Sequence, residues 1–451
     1  MANSDSMITP YLTYLSKAVL DNFGNIHHLQ EEIASGGQGS VFRTTDDDLA
    51  VKIINVESLQ DFERKKQELD LIRVLPLPNN IPISLPLANL TGNKPGYILK
   101  LLNNMQGLGY YTNPEVPSDE SSKTALPSWL KNSNANEKFS LHVVHYANTG
   151  SSRRRFKALS KCAAILARLH NQGLVFGDIS PNNVFVTDDS HAEVWLIDSD
   201  NIRLETKRSG KVLFTRRFGA PEFVTTRSGM NSRTDIWAFS VMAFEILTLV
   251  PPFHGKWLLE NDEGDWDSEN SGSDDTLSAN DKAEFGLIPF IDDEADASNR
   301  CCFPAMNREW VLSSQLRKFF QTTLGKGRKA PQRRVAMDYW ALELCNAHDR
   351  SLDCHNCKMS FFPDSHENCP YCKETPAPYF ELETSQGRFL FPNTQTVTNL
   401  PHRMFQPFNL QKFDDTEFRV ILNDQEVTAT KVRGEDAPPP DLKVKLIGRD
   451  R

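Results

Sequence analysis

Apolar and polar positions along the 451-residue chain change period several times. Tyr11, Leu12, Leu15, Ala18 and Val19 recur at helical spacing and predict a short amphipathic helix in an N-terminal extension, residues 1–28. From Leu29 the run LQEEIASGGQGSVFRTTDDDLAVKII reads as strand, glycine turn and strand. FERKKQELDLIRVL returns to the helical period, with Leu69, Ile72 and Leu75 on one face, and YILKLL reads as a buried strand. Residues 103–140, rich in Asn, Ser, Pro and Gly, predict an extended loop region. A long helix is expected from Arg154 to His170, then short strand and turn pieces in LVFGDISPNNVFV and VWLID, then an apolar helix over Thr234–Leu249. Residues 260–296 form an acidic run broken by Ser, Gly and Asn, the pattern of a solvated, disordered insert. Helical spacing resumes over Trp310–Phe320 and Met337–Leu344. Beyond residue 376, YFELE, RFLF, FRVILN and LKVKLI predict a small β-rich module, residues 376–451.

Composition supports a sizeable core: 39% of residues are hydrophobic and 24% charged. The net charge of -9 provides no overall drive toward nucleic acid or anionic membranes, so neither is expected as a partner. The N-terminus lacks the basic and apolar regions of a signal peptide, and no stretch is apolar for the length of a membrane span. A cytoplasmic location is expected. Of the 8 cysteines, four fall in C-x2-C-x11-C-x2-C, at Cys354, Cys357, Cys369 and Cys372. Each close pair can turn two thiolates toward one ion, and four sulfurs satisfy tetrahedral Zn2+. A structural zinc ribbon is therefore expected over residues 350–375. Its inner loop offers Phe361 and Phe362 as a docking tip, and the ribbon and the C-terminal module are candidate docking surfaces for a partner.

The remaining chemistry is distributed over several motifs. Gly36, Gly37, Gln38 and Gly39, followed by Val41, form a turn whose bare backbone can lie over phosphate oxygens. Lys52 sits among β-branched residues on a buried strand, where it needs an anionic ligand and a carboxylate partner. The next helix offers Glu63 and Glu68, and Glu68 fits the inward face better. Asp178 and Asn183 lie across a turn that contains Pro181, and Asp198 ends a later strand. An Asp that orients a hydroxyl, with Asn and Asp oxygens for Mg2+, suits phosphoryl transfer, which needs positioning and charge neutralisation.

Over residues 29–345 these motifs resemble a eukaryotic-type protein kinase. SGGQGSVF resembles the glycine-rich loop, AVK the strand lysine, GDISPNN the catalytic loop usually written H-R-D-x-K-P-x-N, and IDSD stands where D-F-G is expected. GAPEF resembles the A-P-E segment and TDIWAFSVMAFEILTLVPPF the helix after it, with Asp235 and Trp237 at the family's aspartate and tryptophan. Arg334 matches the arginine that pairs with Glu222. With its G-D loop, D-S-D and trailing ribbon the chain is similar to bacterial stand-alone Ser/Thr kinases. The resemblance implies an α+β, bilobal fold, with an N-lobe over about 29–102 and a C-lobe over about 103–345. It implies ATP and Mg2+ as cofactors and Ser or Thr hydroxyls of proteins, itself included, as acceptors. Asp178 would be the catalytic residue, Lys52 held by Glu68 would position phosphates, and Asn183 and Asp198 would hold Mg2+.

The departures are specific. Ala34 replaces the loop's first glycine, Phe176 and Gly177 replace His and Arg, Ser180 replaces the catalytic-loop lysine, and Ser199 and Asp200 replace Phe and Gly. Asp200 reads either as a further metal ligand or as a capping residue. The segment from Asp198 to Glu222 is basic and carries Thr206, Ser209 and Thr215 as candidate phosphosites. Two other readings stay open. Small-molecule kinases share the G-D loop but lack the A-P-E segment and the D-x-W helix, and a pseudokinase scaffold would account for the departures.

Overall fold

The computed structural model describes residues 18–377 except 38, 93–94, 115–126, 132–136, 189–191, 206–214, 227–228 and 263–276, and beyond them the strands between Tyr379 and Ile447. Tyr11, Leu12 and Leu15, Gln38, Thr206, Ser209 and the middle of the acidic run therefore lie outside the described residues.

A six-stranded antiparallel sheet forms the first lobe, in the order β1-β2-β3-β4-β6-β5. Its strands are β1 (Ala18–Leu20), β2 (Ile26–Gly36), β3 (Gly39–Thr44), β4 (Leu49–Ile54), β5 (Ala88–Asn89) and β6 (Gly96–Lys100), with helix α1 (Leu59–Ile72) between β4 and β5. Ala18 and Val19, expected on a helix, pair instead with His28 and His27. The cause is local: Asp21 accepts the amides of Phe23 and Asn25, both at 2.9 Å, and so closes a tight turn. Asp21 also bridges Leu90, and Thr91 N donates to Leu20 O at 2.8 Å, so the two edge strands meet and the sheet curls shut. Val51, Ala88, Leu90 and Ile98 fill its inside, while Leu69 and Ile72 of α1 pack on Ile54 and Tyr97.

The second lobe is helical. Residues 103–140 are more structured than their composition suggests: they contain β7 (Met105–Gly107), a 3-10 turn (Leu108–Tyr111), α2 (Ser128–Lys131) and the start of α3 (Glu137–Asn148). The period read over Arg154–His170 belongs to α4 (Ser151–His170), which turns Phe156, Leu159, Ala163, Leu166 and Leu169 inward. After it come β8 (Leu174–Val175), β9 (Val184–Thr187), β10 (Val194–Leu196) and β11 (Arg203–Leu204), then α5 (Pro221–Thr225) and α6 (Ser232–Thr248). Helix α6 is buried on nearly every face, as its unbroken apolar sequence requires, and Asn231 and Thr234 close a capping box at its start. The described flanks of the acidic run are ordered: α7 (Lys256–Asn261) and α8 (Ala279–Glu284) bracket it, and Ile288, Phe290 and Ile291 are buried. The chain ends this lobe with α9 (Arg308–Val311), α10 (Ser314–Phe320), α11 (Gly327–Lys329) and α12 (Met337–Asp349).

The cysteine segment is joined to this lobe. Strands β12 (Leu352–Asp353) and β13 (Ser360–Phe361) form a hairpin, and Cys354, Cys357 and Cys369 belong to the same apolar cluster as α4 and α6. Phe361 and Phe362, read as a docking tip, are 0% and 6% exposed, and Phe362 packs on Phe156 with ring centroids 6.0 Å apart. The aromatic tip is thus spent on intramolecular packing, and that docking surface is corrected. Beyond it, β14 (Tyr379–Thr384), β15 (Gly387–Pro392) and β20 (Leu442–Ile447) make one sheet, and β16 (Val397–Asn399), β17 (Phe408–Lys412), β18 (Glu417–Leu422) and β19 (Gln425–Lys431) another.

One buried ion pair locks the base of the helical lobe. Arg334 donates from both terminal nitrogens to the two oxygens of Glu222, each at 2.7 Å, and also to Gly327 O and Arg233 O. Replacing Arg334 by Met leaves the Glu222 carboxylate buried without a partner. We expect Arg334→Met to lower unfolding free energy by about 3–5 kcal/mol, measured by urea denaturation. A loss below about 1 kcal/mol, the value of an exposed pair, would refute the assignment.

Candidate active site and metal centre

The site lies where the curled sheet faces the helical lobe. Lys52 projects from β4 and is 4% exposed. Its ammonium contacts Asp198 and lies 3.2 Å from Asp200 Oδ2. Burial lowers the lysine's proton affinity, and the Asp200 charge opposes this. The expected partner is elsewhere: Glu68 pairs with Lys65 at 3.3 Å on α1 and does not reach Lys52. The second acid at Asp200 accounts for this, because two carboxylates from the D-S-D segment already satisfy the lysine. Glu68 and Asp200 both line one polar cavity of about 740 Å3. The second oxygen of Asp200 is buried with no hydrogen-bond partner, which makes it an unused acceptor.

Asp178 and Asn183 sit on the turn between β8 and β9. Asn183 Nδ2 donates to Asp178 O at 2.8 Å and to Asp178 Oδ2 at 3.2 Å. The other oxygen, Asp178 Oδ1, accepts both the amide and the hydroxyl of Thr215, at 2.8 and 2.9 Å. Burial raises the Asp178 proton affinity, and the bonds from Thr215 and Asn183 work against the rise. Asp198 adopts a left-handed conformation, φ 67°, at the end of its strand. Ser199, next to it, donates to Ser84 O at 2.8 Å and so anchors the segment to the first lobe. Oxygen donors of Asp198, Asp200 and Asn183 beside a buried lysine suit a hard divalent cation and phosphate oxygens.

The glycine loop divides its labour. A Cβ on Gly39 would lie 2.1 Å from Ile53 O, so no other residue fits there, whereas Gly36 and Gly37 face open space and leave their backbone accessible. Val41 lies on β3 across from Lys52. The role of Thr215 was not assigned from sequence beyond a candidate phosphosite; the signal for it is a hydroxyl residue in the basic stretch just before GAPEF. Asp200 was noticed, but its pairing with Lys52 depends on a tertiary approach of β4 that sequence does not display.

This cleft, the buried Glu222–Arg334 pair and the enclosed α6 make a bilobal, protein-kinase-like fold. Residues 135–338 match the family model for the protein kinase domain. Ribosomal protein S6 kinase alpha-2 of Homo sapiens is 28% identical over 146 residues, 32% of this chain and 18% of that protein. Ribosomal protein S6 kinase alpha-3 of Mus musculus is 29% identical over 147 residues, again 32% of this chain and 18% of the relative. The chain thus spans about a fifth of the length of these curated relatives. The glycine loop and Lys52 precede the matched residues.

The second cluster is the cysteine set. The sulfurs of Cys354, Cys357, Cys369 and Cys372 all lie within 4.8 Å of one another, with Cys354–Cys372 and Cys357–Cys369 at 3.5 Å. Tetrahedral ligands at about 2.3 Å from an ion would be about 3.8 Å apart, so the set fits a four-coordinate metal. Two matching turns prepare it. Lys358 N donates to Cys354 O and Lys373 N to Cys369 O, both at 2.9 Å, and both lysines are left-handed, at φ 61° and 65°. Amides of Asn356 and Cys357 point at the Cys354 sulfur, and those of Tyr371 and Cys372 at Cys369, donors that favour thiolates.

Because these sulfurs belong to the lobe's own core, losing one ligand affects more than the ribbon. We expect Cys354→Ser to take bound metal from about one ion per chain to none, read by elemental analysis, and to lower the melting temperature of the whole helical lobe. Unchanged metal content would refute the four-sulfur site.

Proposed function

We propose that this chain is an ATP- and Mg2+-dependent protein kinase that transfers phosphate to Ser or Thr hydroxyls of proteins. The reading is carried by one observation: a threonine hydroxyl already donates to Asp178 Oδ1 at 2.9 Å, the geometry needed to orient an acceptor hydroxyl. Asp178 aligns that hydroxyl and receives its proton, and Thr215 holds the carboxylate's orientation from the other side of the cleft. Lys52 meets the nucleotide phosphates, while Asn183 and Asp198 hold Mg2+, with Asp200 as a further oxygen donor. Bound Mg2+ neutralises charge on the transferring phosphoryl group. Gly36 and Gly37 give the backbone that lies over the phosphates. The cysteine set holds structural Zn2+, as a closed set of thiolates with no position left for a reacting group. None of the eight cysteines is in a disulfide, as suits a reducing cytoplasmic compartment, and no helix among the described residues is long and apolar enough to cross a membrane.

The full chain, incubated with ATP and Mg2+ and analysed for phosphosites by mass spectrometry, should carry phosphate on Ser or Thr. Asp178→Ala and Asp198→Ala should stay folded and carry none. Nucleotide binding without any transfer to itself or to generic protein substrates would favour a scaffold, which the Phe176, Gly177 and Ser180 departures would then explain.

The pH profile tests the Asp178–Thr215 pair separately. Asp178 must be ionised to accept a proton, and its raised proton affinity places the acid limb above the ordinary carboxylate range. Thr215→Val removes a bond that favours the ionised form, so the Asp178 pKa rises and activity is lost at higher pH than in the parent. An acid limb that stays in place would disprove the coupling.

A further inference from the structure

A separate cavity of about 880 Å3 opens beneath α5, lined by α5, the start of α6, the turn at Gly286–Leu287 and the segment Arg328–Pro331. It shares no lining residue with the cleft around Lys52. Its two carboxylates are occupied. Glu222 is held by both nitrogens of Arg334, and Glu205 Oε1 accepts the amide and hydroxyl of Ser232 at 3.3 and 3.2 Å.

Its three cations have no such balance. Arg233 donates to Pro331 O at 3.2 Å and Arg328 to Leu287 O at 2.9 Å, both neutral carbonyls. Arg328 Nε is buried with no hydrogen-bond partner. Lys329 stands exposed at the rim. Asp293 and Asp296 act on Arg328 only through longer-range attraction, which offsets part of the cost of its burial. Guanidinium groups held on rigid elements, with N–H donors to spare and, among the described residues, no carboxylate within ion-pair distance, are an arrangement that an incoming dianion completes.

We infer that this cavity binds a phosphorylated peptide segment, with the phosphate seated among Arg233, Arg328 and Lys329. The volume is several times that of a free phosphate ion, so it leaves room for the residues on either side of the modified one. Glu205 and Pro221, both lining the cavity, flank in sequence the segment that carries Thr215. A chain of net charge -9 repels an extended polyanion yet accepts one phosphate at a local basic site, which favours a phosphopeptide over nucleic acid.

The site is independent of catalysis and can be tested without turnover. The full chain is saturated with ADP and Mg2+ to occupy the other cleft. It is then titrated against a fluorescein-labelled, degenerate library of phosphoserine peptides, the same library without phosphate, and inorganic phosphate. The phosphorylated library should bind saturably and lose affinity as salt rises, and the unphosphorylated one should not bind. Arg328→Gln and Arg233→Gln should each weaken binding by about tenfold, one charge-assisted contact's worth, while Arg328→Lys weakens it less. Melting temperatures of the variants near that of the parent show that the fold is kept. Equal binding of both libraries, no binding of either, or an Arg328→Gln chain that binds like the parent would overturn the proposal. Inorganic phosphate that binds as tightly as the phosphopeptides would overturn the peptide assignment, and so would an oligonucleotide that displaces them at equal concentration.

Discussion

A buried carboxylate on α6 carries the loop on which the site depends. Asp235 is 2% exposed and accepts the amides of Phe176 and Gly177 at 2.8 and 2.9 Å, with His170 Nε2 3.1 Å from the same carboxylate. An unpaired buried carboxylate would cost several kcal/mol, and these three donors compensate it only if the loop takes one course. That course puts Gly177 at φ 89°, where a Cβ would lie 2.9 Å from Met230 Sδ and 3.1 Å from Asn201 O. The arginine that the family places here therefore has neither the backbone conformation nor the room. The departure follows from how this loop is seated, and with it goes the cation that the family pattern places beside Asp178.

The positive charge lost there is not made up across the cleft. Three acids, Asp178, Asp198 and Asp200, face one buried lysine, and one Asp200 oxygen has no partner. Such a cluster is short of positive charge until cations enter, which is the state expected of a site that takes metal together with a polyanionic nucleotide. Glu68 is superfluous in this balance, so it remains on the surface of α1 beside Lys65. The activation segment behaves similarly: Arg216 pairs with Asp281 and Glu284 of α8, and the described end of the acidic run thereby neutralises part of the basic segment opposite.

Much of this was legible in sequence because it is local. The long apolar periods mark α4 and α6 nearly to the residue, the cysteine spacing marks the four converging sulfurs, and the motifs pair Glu222 with Arg334, which bond at 2.7 Å. What was missed is tertiary. No local pattern distinguishes Glu68 from Asp200 as the lysine's partner, since the choice depends on how far α1 lies from β4. Ala18 and Val19 keep helical spacing, yet a strand pairing with His27 and His28 outweighs it. Order around the acidic run escaped because charge density outweighs a few buried positions, Phe290 and Ile291 among them, in any compositional reading.

The cysteine pairs share the apolar core of the helical lobe. Gly150 and Ser151 are both left-handed, at φ 84° and 52°, and Ser151 at the first position of α4 carries a real conformational cost. The ribbon sustains it: Ser151 Oγ accepts Ser360 N at 2.8 Å, and Ser360 Oγ accepts Arg153 N at 3.2 Å. Beside them Arg155 is fully buried between the rings of Tyr111 and Tyr146, bonded only to carbonyls and to Thr149. So the ribbon hairpin, the link between the lobes and the start of α4 share one set of bonds. Helix α4 then runs 20 residues, about 30 Å, to His170, which meets Asp235 beneath the catalytic loop. Four converging sulfurs therefore sit at one end of the rod whose other end meets Asp235, and the appendage seen in sequence packs as part of the helical lobe.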